Sequence, residues 1–72
     1  MKIRTQDARR YLEFEEVYAD MHVDGKKAAV YVRNRLNLEP VCVGVYESMF
    51  RARGVLYEMD LAYQARKRVF YA

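Results

Sequence analysis

The stretch VYADMHVDGKKAAVYV, residues 17–32, leaves few folds open to this chain. It places Asp24-Gly25 between two runs rich in Val and Tyr. Asp-Gly suits the two-residue loop of a β-hairpin, because a type I′ turn needs positive φ at both loop positions. Folding the chain there sets Val23 opposite Lys26, Met21 opposite Ala28, Ala19 opposite Val30 and Val17 opposite Val32. That face is apolar except at the turn. The other face sets His22 against Lys27, Asp20 against Ala29 and Tyr18 against Tyr31. One register therefore sorts the side chains by polarity, as a half-buried sheet requires.

A helical reading competes with this one. Ala8, Tyr11, Leu12, Phe14, Val17, Tyr18 and Met21 also fit a helical stripe. A further helix over residues 26–36 would then make the chain a small all-α bundle, but it would hold Val30, Tyr31 and Val32 in a row, which favours extended structure. Gln6, Ala8, Arg9, Arg10 and Leu12 are acceptable helix residues. The expectation is a short N-terminal helix over about residues 5–14, with strands at about 15–23 and 26–34.

PVCVGVY, residues 40–46, reads as a third strand opened by Pro40, where a missing N–H does least harm. From Glu47 the pattern changes. Met49, Ala52, Leu56, Met59, Tyr63, Arg66 and Phe70 recur at spacings of three and four, and no proline interrupts them. A long C-terminal helix over about residues 48–70 is expected. Phe50, Gly54, Tyr57, Leu61 and Ala65 form a second stripe beside the first. A helix covering one sheet needs one apolar stripe, so the second offers a surface for a homodimer through this helix. The fold class expected is α+β: helix, three-stranded antiparallel sheet, long helix, in a single domain over residues 1–72.

The junction GVYESMFRARGVLYE resembles the end of AP2-type and integrase arm-type DNA-binding domains. In those domains a third strand ends in Gly-x-Phe or Gly-x-Tyr, an acidic residue and a Ser or Thr follow, and alanine comes four positions later. Gly44, Tyr46, Glu47, Ser48 and Ala52 stand at those places. The resemblance implies three antiparallel strands backed by a helix, and DNA binding. The chain differs from that pattern in its sparser basic residues along the strands and in Glu13, Glu15 and Glu16 ahead of them.

Composition bounds the function. With one cysteine, Cys42, and one histidine, His22, an internal disulfide is impossible and a Cys/His zinc site lacks ligands. Glycine-rich phosphate loops are absent, and Ser48 reads as a helix N-cap rather than a nucleophile. These features argue against an enzyme and against any cofactor or metal. No apolar run reaches the roughly 20 residues of a membrane span, and MKIRTQDARR is not a leader, so a cytoplasmic location without membrane contact is expected.

The net charge of +3 comes from nine arginines and four lysines against ten acids. On the predicted open sheet face Tyr18, Lys27, Tyr31 and Arg33 stand together, with Arg35 beyond and Arg51 and Arg53 on the following helix. Tyrosine rings stack on bases while Arg and Lys hold phosphates. The chain therefore reads as a small non-enzymatic regulator that binds nucleic acid through these seven residues. The same residue types suit a protein-interaction module or inhibitor docking on a larger protein, of the kind mobile elements encode.

Overall fold

The computed structural model of the chain describes residues 1–34 and 39–72 and, at Asp24, the backbone alone. Among the described residues the fold is α+β, with six strands in two sheets and one α-helix. The order is β1 (Lys2–Arg4), β2 (Tyr11–Glu13), a 3₁₀ turn (Phe14–Glu16), β3 (Val17–Asp24), β4 (Lys27–Asn34), β5 (Pro40–Tyr46), α1 (Met49–Gln64) and β6 (Val69–Tyr71).

The expected N-terminal helix is not formed. Residues 5–10 are instead the turn of a β1–β2 hairpin. Short polar side chains there take the backbone groups that a helix would use. Arg10 N–H donates to Thr5 Oγ1 at 3.2 Å, and Arg9 N–H donates to Asp7 Oδ1 at 3.0 Å. The Thr5 hydroxyl donates to the same carboxylate at 2.6 Å. Ile3, ahead of the proposed helix, is fully buried and sits opposite Leu12 on one side and Phe70 on the other.

The long C-terminal helix is also corrected. It stops at Gln64, and residues 69–71 form β6, which pairs parallel to β1. Lys67 N–H donates to Ala62 O and Arg66 N–H to Tyr63 O, both at 3.0 Å. This is the paired 6→1 and 5→2 closure of a Schellman cap. The left-handed residue that the cap requires is Arg66, at φ 58°. Glycine usually fills that place, so the sequence carries no visible stop signal. Val69, Phe70 and Tyr71 then follow their β-branched and aromatic preference into a strand.

β3, β4 and β5 form an antiparallel sheet in that order. The hairpin loop is Gly25-Lys26, with Asp24 paired to Lys27. Gly25 has φ +61° at the first loop position, where a type II′ loop takes glycine. Tyr18 consequently lies opposite Arg33 rather than Tyr31, a register two residues from the expected one. Because side chains alternate with period two, the shift leaves each residue on its expected face.

α1 lies on the inner face, where Ala52, Val55 and Met59 meet Ala28, Val30, Val32 and Val43 in one core. Val55 belongs to neither stripe read from the sequence. The buried line keeps Ala52 and Met59 of the first stripe and is turned toward Val55, away from the second stripe, leaving Leu56 half-buried and Phe50 88% exposed. Gln6 joins the two sheets: its N–H donates to Val43 O at 2.7 Å, and its Oε1 accepts from Val45 N–H at 2.9 Å.

Candidate nucleic-acid interface

The outer face of the β3–β4–β5 sheet is built in rows by strand register. Tyr18, Arg33 and Pro40 form one row, Asp20, Tyr31 and Cys42 the next, and His22, Ala29 and Val45 the third. Lys27 stands at the turn end of β4. The core lies on the opposite side, under α1. Tyr18 is 44% and Val45 47% exposed, so this face is open.

A β-bulge decides what β5 contributes. Val30 faces Gly44, but Tyr31 faces Cys42, so Val43 is an extra residue. In strict alternation Val41, Val43 and Val45 would share a face. The bulge instead buries Val43 and Gly44 in succession and turns Val45 outward. Tyr46 then points inward at 8% exposure. A Cβ on Gly44 would stand 2.5 Å from the Tyr46 hydroxyl oxygen, so only glycine leaves room for that ring.

His22, Lys27, Ala29, Tyr31, Arg33, Pro40 and Val45, with Val23 at its rim, line a shallow groove of about 680 Å³. The His22 ring meets Tyr31 edge to face, with centroids 5.7 Å apart, and so fixes the tyrosine ring against the sheet. Arg33 is half-buried, and its Nε is enclosed with no hydrogen-bond partner among the described residues. A guanidinium N–H left this way costs free energy unless water or a ligand receives it. Asp20 is the acidic residue of the central row, and its Oδ1 accepts from Met21 N–H at 2.8 Å.

Of the seven residues singled out by sequence, Tyr18, Lys27, Tyr31 and Arg33 share this face. Arg51 and Arg53 do not join them: both are exposed on α1, across the core. Arg51 instead reaches Glu58 at 3.6 Å in an exposed pair, a contact worth little. Arg35 lies outside the described residues. Sequence reasoning missed Pro40 and Val45 as groove residues. For Val45 the signal was Gly44, since glycine inside a strand often marks a bulge, whereas Pro40 lies ahead of the bulge and faces outward by plain alternation.

The residues that carried the AP2-type resemblance have structural work at the strand-to-helix junction. Ser48 caps α1, its Oγ accepting from Arg51 N–H at 3.1 Å. Ala52 is buried beneath the helix, and Gly44 makes space for Tyr46. Burial pushes the Tyr46 phenol above its ordinary range, and its oxygen has no hydrogen-bond partner among the described residues. A second aromatic and cationic row lies on the small sheet, where Arg4 stands between Tyr11 and Tyr71. There the cation is already engaged, with the guanidinium 5.5 Å from the Tyr71 ring centre.

Among the described residues no group of three or more His, Cys, Asp or Glu side chains is placed to hold a metal ion, and no helix is long and apolar enough to cross a membrane. No family model, curated protein or solved structure matches the chain.

Proposed function

We propose that this protein is a small non-enzymatic regulator that binds single-stranded nucleic acid on the open face of β3–β4–β5, in the cytoplasm. The observation that carries the reading is the grouping on one open sheet face of Arg33, set directly opposite Tyr18 and two residues from Tyr31, with Lys27 farther along the same side of β4. Tyr18 and Tyr31 supply stacking surfaces, and Arg33 and Lys27 supply phosphate contacts. Two cations per chain imply a modest salt dependence, with log K falling by roughly 1.4 per decade of salt.

Fluorescence anisotropy with labelled single strands and matched duplexes tests this. The single strands should bind more tightly, and Tyr31→Ala and Arg33→Ala should each weaken binding about tenfold while leaving the unfolding midpoint nearly unchanged. Failure of the single strands to bind at low salt would exclude the reading.

A second reading is favoured by α1. Phe50, Tyr57 and Leu61 are exposed on its outer side, with Gly54 between them. That apolar line suits a protein-interaction module or inhibitor docking on a larger protein, and it is also the surface that a homodimer through the helix would bury. Loss of a protein partner on Phe50→Ser, with nucleic-acid affinity intact, would separate the two readings.

A further inference from the structure

One edge of the large sheet is β3, which among the described residues pairs with β4 on one side only. It is eight residues long and contains no lysine, arginine or proline, the residues that commonly blunt an exposed edge. Met21 N–H is taken by the Asp20 carboxylate at 2.8 Å rather than by the β4 ladder. Ladder groups alternate, so the N–H and C=O of Ala19, Met21 and Val23 face away from β4. Ala19 and Val23 are exposed on the helix side of this strand, Val23 to 55%. A hydrogen-bonding row that β4 does not use thus runs beside unburied apolar side chains.

We propose that β3 pairs antiparallel with β3 of a second copy, making one six-stranded sheet about a twofold axis at Met21. Charge selects this register. Full-length symmetric overlap centres on residue 20 or residue 21. Centred on Asp20, the pairing sets two carboxylates face to face, which is destabilising. Centred on Met21, it sets Asp20 opposite His22 of the second copy, twice by symmetry, and Ala19 opposite Val23 of the second copy. Met21, Ala19 and Val23 then exchange the ladder hydrogen bonds. Asp20 and His22 become a non-hydrogen-bonded pair, whose side chains approach most closely. Asp20 releases Met21 N–H to the ladder and accepts from the imidazole instead. The axis is normal to the sheet, so both open faces lie on one side and form a single wider platform.

Sedimentation velocity of the free protein over a concentration series up to millimolar tests the proposal. The expected result is a reversible dimer in place of the 8.6 kDa monomer. Ala19→Pro removes an N–H that β4 does not use, so the monomer should fold while the dimer weakens about tenfold or more. Asp20→Lys should weaken it about tenfold, and exchanging the two residues, Asp20→His with His22→Asp, should restore it. Phe50→Ser should leave it unchanged. A monomer at every concentration overturns the proposal. So does a dimer that survives both Ala19→Pro and Asp20→Lys, or one that is lost on Phe50→Ser alone. If Ala19→Pro fails to fold by circular dichroism, Asp20→Lys and its restoring exchange decide the matter.

Discussion

The sheet β3–β4–β5 is made of strands of eight, eight and seven residues that follow one another along the chain. The sheet β2–β1–β6 is made of three-residue strands drawn from both ends of the chain. The first is a local object: a glycine loop, alternating apolar residues and a neighbouring strand specify it. The second exists only once residues 69–71 have returned to lie beside residues 2–4. It also holds two non-glycine residues in the left-handed region at its approaches, Ala8 at φ 63° and Arg66 at φ 58°. The large sheet leaves its outer face open, and the small one joins the two ends of the chain beside the core.

The contrast can be tested most severely at Ile3. If the small sheet is part of one cooperative core, Ile3→Ala should cost about 3 kcal/mol in chemical denaturation and shift a single transition. Two separate transitions would show that the sheets unfold independently. On the other side of the comparison, Gly44→Ala should cost about 1–2 kcal/mol, because its methyl group would collide with the Tyr46 ring. An unaffected midpoint would show that the bulge does not depend on this close approach. Arg66→Gly should instead stabilise by about 1 kcal/mol, since glycine adopts positive φ without strain. Ala8→Gly should act in the same direction.

The smallest effect concerns Asp7, at the tip of the small sheet. The Thr5 hydroxyl, and next the Arg9 backbone N–H, hold its carboxyl below the ordinary carboxylate range. A lowered folded-state value stabilises above the unfolded value of about 3.9, and that contribution is lost as pH falls through the folded value. Asp7→Asn should therefore lower the thermal midpoint slightly at pH 7, with the difference shrinking toward acid. A difference that persists at pH 2 would assign the effect to shape rather than charge.

These regions also divide what could be read in the amino-acid order. Residues 17–32 and 40–46 announced strands because Val and Tyr alternate around a glycine loop. The two-residue register error was harmless, since an even shift preserves faces. Tyr18, Lys27, Tyr31 and Arg33 therefore share the sheet face that the alternation of the sequence assigns to them. Val45 departs from the expected alternation because the bulge at Val43 reverses it midway along β5, whereas Pro40 lies ahead of the bulge and faces outward by plain alternation. Over residues 5–14 the helix propensity is weak beside the hydrogen bonds of Thr5 and Asp7, and a hairpin forms instead. The end of α1 is hidden in the sequence because an arginine, Arg66, occupies a position where glycine is usual. The strands of three residues carry too few side chains to show a period.

The central claim is that the outward face of β3–β4–β5 holds the ligand. Amide chemical-shift mapping during titration with a single-stranded oligonucleotide tests it most directly. The account predicts that the shifts concentrate at Tyr18, Lys27, Tyr31, Arg33 and the outward-turned Val45, with α1 unmoved. Shifts confined to Phe50, Tyr57 and Leu61, or none at low salt, would contradict it.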